Sequence, residues 1–454
     1  MKILTKPYTY QCKGVHRIVN RFDGRALLAD EVGLGKSLQA LAVAAIGEWW
    51  PMLIICPASL KNNWRRECKI HLGIDAEILE TTKVPAYKRP RSKITIINYD
   101  ILHAWLPYLE DCGFVIIVID EIHYIKNPKA RRTKVVRTVC KEQEHILGLS
   151  GTPIVNRPIE LFPMINMLWP DEFPSMFSFG MEFCKPERTP WGWKFNGAQN
   201  LPELHAKLKS LGMVRRRKED VLHDLPAKQR FVVPLPIKDR KEYDKAESDF
   251  INWLKSKSPA KAERARHAKR LVQMGYLIRL ACKLKFQAVE HWIDNLLQES
   301  DGKFILLGRH IPPTLRLAAK YKGLCVCIHG GIEVKNRQKL VDQFNESKRT
   351  RLLIGNSPAW TGYNMQAASG LAFYEQAWTP GEHDQGEGRP HRIGQKKKVS
   401  VWYLVAEGTI EEDRCKLLQE KQKITSSVLD GHSVEGELDI YDRLEAALLR
   451  RRRS

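Results

Sequence analysis

Two short segments carry residue types spaced for phosphate chemistry. The first is Asp30-Glu31-Val32-Gly33-Leu34-Gly35-Lys36-Ser37. Glycines let a backbone approach an anion closely, and the N–H groups of such a loop bind phosphate oxygens together with the start of the following helix. In that arrangement Lys36 reaches the β- and γ-phosphates and Ser37 holds Mg2+. Asp30 departs from the general pattern, because it stands at the first glycine position. The second segment is Asp120-Glu121-Ile122-His123, directly after the apolar run Val115 to Ile119. There Asp120 can hold the metal ion and Glu121 can polarise an attacking water. Each segment alone has an ordinary explanation: a Gly-rich turn with an exposed lysine, or the acidic start of a loop. In this order they read as an ATP site, with Asp30, Glu31, Gly33, Leu34, Gly35, Lys36 and Ser37 around the nucleotide.

Such groups need elements that hold them at one edge. The N-terminal third repeats a short apolar run, a loop and a helix-period stretch: Ala26 to Ala29, Leu53 to Cys56, Ile94 to Ile97, Val115 to Ile119 and Ile146 to Leu149 supply the runs. Continuous β-branched runs suit strands of a parallel sheet buried on both faces. Carboxylates after such a strand lie at the C-terminal edge, where ligands of α/β sheets bind. From about Pro158 to Gln287 the chain is richer in charge and helix-period patterns. The α/β rhythm then returns at Phe304 to Leu307, Leu324 to Ile328, Leu352 to Ile354, Leu371 to Tyr374 and Val399 to Ala406, before a helix from Thr409.

Composition narrows the partners. Among 454 residues, 74 Lys and Arg face 52 Asp and Glu, a formal net charge of +22 that favours a polyanion, nucleic acid first. Glu48, Pro51 and Pro57 interrupt the most apolar stretch, Ala40 to Leu60, so it reads as a helix and a strand and no membrane partner is expected. Met1 to Lys6 carries no apolar core of a secretion signal. The ten cysteines are scattered without a CxxC pair, which fits a reducing compartment. The cytoplasm of a bacterial or phage-infected cell is expected, or the nucleus in a eukaryote.

By these motifs the chain resembles the SNF2 branch of superfamily 2 helicase-like ATPases along nearly its whole length. DEVGLGKS is similar to the family's DEMGLGKT, and DEIH at Asp120 to His123 to its DEAH-type box. Tyr10-Gln11 with Gly14-Val15 resembles the adenine-reading motif, which makes Gln11 the adenine contact. Cys56 to Leu60 with Trp64 resembles motif Ia, and Leu149 to Pro153 with Asn156 motif III. Trp193 to Gly197 and Met213 to Leu222 are similar to the annealing-helicase subgroup. Gly362 to Met365 resembles motif V, and Gln385 to Gln395 motif VI, whose family form is QAxxRxHRIGQ. The resemblance implies that Arg389 and Arg392 are arginine fingers. Gly386, Gly388 and Pro390 interrupt the helix expected there, so it is expected to start late. Trp378 matches a tryptophan that lies along the DNA groove, with a buried core position as the other reading. Arg215-Arg216-Arg217-Lys218 and the run Lys255 to Arg270 can line a phosphate track or be solvated faces.

The expected fold is α/β: two RecA-like parallel-sheet lobes with helical insertions between them. Lobe 1 spans 1–225 with an insertion from about 158, lobe 2 spans 226–430 with an insertion to about 285, and 431–454 form a basic tail. The expected function is an ATP- and Mg2+-dependent translocase on double-stranded or branched DNA, monomeric, with no protein partner named by any motif. A strand-separating helicase is the alternative. A non-hydrolysing DNA-binding scaffold fits less well, because Lys36, Glu121, Arg389 and Arg392 are all kept.

Overall fold

Strands that bury both faces must send successive side chains into two different cores, and here they do. The computed structural model describes residues 2–84, 92–153, 157–190, 192–248, 269–360 and 362–430. It divides into two units, the first reaching Leu225 and taking in 423–430, the second running from Pro226 to Gln422. The first holds a seven-stranded parallel sheet of β1 (Ala26–Leu28), β2 (Met52–Cys56), β3 (Glu77–Ile78), β4 (Ile94–Asn98), β5 (Ile116–Asp120), β6 (His145–Leu149) and β7 (Met213–Val214). Their order is β3-β4-β2-β5-β6-β1-β7. Ile117 and Ile119 enter one apolar cluster with Leu27 and Ala29. Ile116 and Val118 enter the other with Ala26 and Leu28. Burying an Ile or Leu side chain is worth about 1.5–3 kcal/mol, so this double burial explains the unbroken apolar runs.

Register places the chemistry. Asp120 is level with Leu149, and Leu149 with Leu28. The loop after β1 and the carboxylates after β5 therefore leave the same C-terminal edge, with β6 between them. Helix α1 (Thr9–Phe22) buries Tyr10, Gln11, Gly14, Val15 and Ile18. Helix α2 (Lys36–Gly47) follows Gly35, whose φ of 73° is the left-handed conformation a side chain resists. Residues 158–211 add the helices Phe162–Leu168, Met176–Phe183 and Leu201–Leu211 and a hairpin, Glu187–Thr189 with Gly192–Lys194. These helices are not a separate layer: Phe162, Phe179 and Leu204 share the first cluster with the sheet.

The second unit holds a six-stranded parallel sheet of β8 (Lys228–Leu235), β9 (Phe304–Leu307), β10 (Cys325–Ile328), β11 (Leu352–Gly355), β12 (Gly370–Phe373) and β13 (Val399–Ala406). The order is β8-β13-β12-β9-β11-β10. Again Ile305 and Leu307 face one cluster, and Phe304 and Leu306 the other. The helices Arg240–Ser248 and Lys269–Glu299 intervene between β8 and β9. One expectation changes: the sheet begins at Lys228, inside the stretch read as helical insertion. Its partner explains why, since β8 pairs with β13 from Lys228–Val399 to Leu235–Ala406 and forms an edge that tolerates Pro234. Of the basic run 255–270, residues 255–268 lie outside the described residues, as do Asn156 and the tail 431–454. Among the described residues no helix is long and apolar enough to cross a membrane.

Candidate active site

The phosphate loop is braced from three sides. Lys36 Nζ donates to the carbonyls of Asp30 at 2.7 Å and Glu31 at 3.4 Å. Burial pushes the Lys36 ammonium below the usual lysine range, while Glu121, Asp30 and Asp120 act to hold it charged. Gln11 Nε2 and the Tyr10 hydroxyl both donate to the Leu34 carbonyl, at 3.1 and 3.0 Å. A Cβ on Gly35 would meet Gln11 Nε2 at 2.5 Å, so the glycine lets α1 sit directly on the loop. A side chain at Gly151 would meet Val32 at 2.5 Å and Lys36 Nζ at 3.3 Å. The segment after β6 thus closes on the loop as well.

The acidic pair is equally constrained. Trp64, buried in the helix Lys61–Leu72, donates its indole N–H to Asp120 Oδ2 at 2.7 Å. Tyr99 donates its hydroxyl to the Asp120 carbonyl at 2.7 Å. Burial and the neighbouring Glu121 charge push the Asp120 carboxyl well above the usual range, against the pull of Trp64 and Lys36. Glu121 has φ 50°, a left-handed turn uncommon outside glycine, which redirects its side chain at the strand end. His123 Nδ1 lies 3.3 Å from Glu121 Oε2 and 3.1 Å from Ser150 Oγ. Burial lowers His123 to about 4, so at pH 7 a neutral ring lies between Glu121 and Ser150. Ser37 and Asp120 offer a hydroxyl and a carboxylate, the hard oxygen donors Mg2+ takes when phosphate oxygens and water complete its shell.

The basic cluster 215–218 is not a freely solvated face. Its side chains have partners within the first unit. Arg216 grips Asp30 with Nε–Oδ1 at 2.9 Å and Nη2–Oδ2 at 2.5 Å, and also donates to Gln39 Oε1 at 2.5 Å and to the Tyr10 carbonyl. Arg215 donates to the carbonyls of Ala29 at 2.9 Å and Gly151 at 3.4 Å. Arg217 pairs with Glu219 at 2.7 Å and Asp220 at 3.0 Å. Lys218 is buried, with its N–H on Glu31 Oε2 at 2.8 Å and Nζ 3.6 Å from Oε1. β7 pairs beside β1, so residues 215–218 run on along the loop and meet its carboxylates there. Sequence reasoning missed Gln39, Tyr99 and the Trp64–Asp120 bond. A lone amide in the otherwise apolar LQALAVAAIG was the one visible signal, since a buried amide needs partners.

In the second unit the helix of motif VI starts early rather than late. It spans Pro380–Glu387, capped by Thr379, whose Oγ1 accepts from the Glu382 N–H at 3.3 Å. Gly388 and Pro390 end it instead of delaying it. Arg389 therefore falls in the following turn and folds inward, donating to the carbonyls of Gln385 at 2.8 Å and Tyr363 at 3.2 Å. Only 8% of it is exposed, whereas Arg392 is half-buried. Glu387 is fully buried between Lys228 Nζ at 2.6 Å, Arg230 Nη2 at 2.7 Å and the Tyr403 hydroxyl at 2.6 Å. Trp378 is half-buried against the cluster of Leu277 and Ile410, with the Arg414 guanidinium 4.1 Å from its ring centre.

Comparison with known proteins divides the chain at residue 285, inside the second unit. Residues 10–285 match the model of the SNF2-related domain, and residues 285–394 that of the helicase conserved C-terminal domain. The DNA annealing helicase and endonuclease ZRANB3 of Mus musculus is 31% identical over 451 residues, covering 95% of this chain and 41% of that protein. The SWI/SNF-related matrix-associated actin-dependent regulator of chromatin subfamily A-like protein 1 of Xenopus tropicalis is 32% identical over 422 residues, covering 91% of this chain and 44% of that one. The chain thus spans less than half the length of these curated relatives. Among solved structures, the Sulfolobus solfataricus SWI2/SNF2 ATPase core in complex with dsDNA is 23% identical with a TM-score of 0.45, covering 95% of this chain and 94% of that one.

Proposed function

The chain belongs to the SNF2-related family of helicase-like ATPases, and from that premise we propose that it couples ATP hydrolysis to movement along double-stranded DNA without separating the strands. The observation that carries the proposal is the shared sheet edge: the loop to Lys36 and the Asp120–Glu121 pair leave, at one level, the two strands that flank β6. Loop amides and Lys36 bind the β- and γ-phosphates, and Gln11, already seated on the loop, reads the adenine. Mg2+ held by Ser37 and Asp120 would neutralise phosphate charge. Glu121 orients and polarises the attacking water. The neutral His123, 3.3 Å from Glu121 and 3.1 Å from Ser150, couples the nucleotide site to DNA. Arg392, and with it Arg389 once the inward bonds are exchanged, supplies positive charge to the transition state; such fingers are worth about 10³–10⁵ in rate.

The name of the mouse relative, a DNA annealing helicase, supports a motor that rewinds or tracks duplexes. The net charge of +22 supports backbone-directed binding. Trp378 remains a proposed DNA contact, through the part of its ring left outside the core. The test is ATP turnover by the full chain with no DNA, single strands, duplex and forked duplex. Stimulation by duplex and fork well above that by single strands is expected. Equal stimulation by single strands would favour the strand-separating reading.

A further inference from the structure

One cavity of the first unit, with a volume of about 350 Å³, has Lys or Arg at six of its eleven lining residues. Lys13 and Arg17 face it from α1, Lys209 from the helix Leu201–Leu211, and Arg215 to Arg217 from the chain after β7; Asp220 is the one carboxylate among its lining residues. Spaced four apart, Lys13 and Arg17 lie on one face of their helix.

The charges in this wall are unevenly compensated. Arg216 is neutralised by Asp30, and Arg217 by Glu219 and Asp220. Lys13, Arg17 and Lys209 have no carboxylate within ion-pair reach among the described residues. Arg17 makes one long bond, to the Lys209 carbonyl at 3.4 Å, and its Nε is buried without an acceptor. Buried N–H groups left without acceptors are rare in folded proteins and mark a place where a partner belongs. Lys13 and Lys209 are exposed at the cavity and Arg17 is half-buried, so three cations without a carboxylate partner converge on one concave space. Guanidinium and ammonium groups together match a tetrahedral oxyanion, with a fork of donors from one side and a point charge from the other.

We propose that this cavity is a second anion site and binds a phosphate oxyanion, carried either by the backbone of DNA or by a free inorganic phosphate species. The site also touches the nucleotide loop. Arg215 and Arg216 line the cavity and also hold Ala29 and Asp30 with their donors. An anion drawn to these guanidinium groups competes with the loop for them, so occupancy at the cavity is felt at the ATP site.

The proposal rests on the chain's geometry and not on the motor reading, and the experiment keeps the two apart. Full-length protein and the double variant Lys13→Glu/Lys209→Glu are compared, with Lys13→Gln/Lys209→Gln as a milder pair should charge reversal disturb folding. The first arm titrates a duplex oligonucleotide across a salt series. If the backbone is the ligand, the log–log slope falls by about 0.9 for each phosphate the variant no longer neutralises. The second arm titrates inorganic pyrophosphate with the ATP site saturated by ADP. If a free phosphate is the ligand, binding is seen in the parent and abolished in the variants while the duplex slope stays unchanged. An unchanged slope together with no pyrophosphate binding overturns the proposal. Neither arm reads hydrolysis, so a failed motor reading would show separately in the turnover assay.

Discussion

Arg216 holds both carboxylate oxygens of Asp30, at 2.9 and 2.5 Å, across a sequence separation of 186 residues. Asp30 is fully buried, and Arg216 retains 15% side-chain exposure. The pair ties the end of the first unit to the start of its phosphate loop. Removing one partner of a buried pair strands the other charge at a cost of about 3–5 kcal/mol. Arg216→Ala is therefore expected to lower the unfolding midpoint of the first unit strongly and to weaken ATP binding. Adding Asp30→Asn to it should recover part of the loss, because no carboxylate is then left unpaired. Denaturant unfolding of the two single variants and the double variant checks this. A loss below about 1 kcal/mol in Arg216→Ala would show that solvent already satisfies Asp30.

Lys36 and Glu121 should separate binding from chemistry. Lys36→Ala is expected to abolish ATP turnover by removing phosphate binding. Glu121→Gln should still bind ATP yet hydrolyse it orders of magnitude more slowly. Equilibrium binding of a fluorescent ATP analogue, set beside single-turnover hydrolysis, distinguishes them. Parental hydrolysis by Glu121→Gln would mean that another group activates the water.

Trp64→Phe keeps the ring and removes the N–H that Asp120 accepts at 2.7 Å. That bond favours the charged carboxylate, so losing it moves the Asp120 carboxyl further upward. The acid limb of the pH–rate profile should then shift toward higher pH, with unfolding changed by about 1 kcal/mol. A profile unmoved relative to the parent would argue that the indole is only packing.

Much of this site is legible in the sequence. Long strands such as β2, and β5 up to Ile119, announce themselves because every residue is buried and the apolar run has no gap. Short ones do not: the two residues of β7 carry no periodicity, and Lys228-Gln229-Arg230 of β8 reads as charged surface until β13 pairs with it. The cluster Arg215 to Lys218 misleads for a related reason. Four consecutive cations show no partner in sequence, yet Arg216 meets Asp30, Lys218 meets Glu31, Arg217 meets Glu219 and Asp220, and Arg215 bonds to carbonyls. The early end of the motif VI helix follows from Gly388 and Pro390, which are plain in the sequence but act at the end of the helix rather than at its start.

Glu387 makes the second unit acid-sensitive. Lys228 and Arg230 outweigh the effect of burial and hold its carboxyl far below the usual range. A depressed carboxylate adds stability that is fully present above its unfolded value, near 4.3, and is lost as pH falls through its folded value. Denaturation midpoints should be flat near neutrality and drop steeply below about pH 4, and Glu387→Gln should flatten that drop while lowering the neutral value. An identical pH profile in Glu387→Gln would assign the acid loss to other carboxylates.

The central claim is motion along duplex DNA without strand separation. Unpairing requires something driven between the strands against about 1.4 kcal/mol of stacking per base-pair step. Phosphate contacts alone move a motor along the backbone and carry no sequence information. The most direct measurement follows one protein preparation on two substrates with ATP: a duplex bearing a triplex-forming strand, and a tailed duplex with one labelled strand. Release of the third strand that depends on Glu121, with the tailed duplex left intact, is the expected result. Efficient release of the labelled strand from the tailed duplex, also dependent on Glu121, would contradict the account and make the protein a strand-separating helicase.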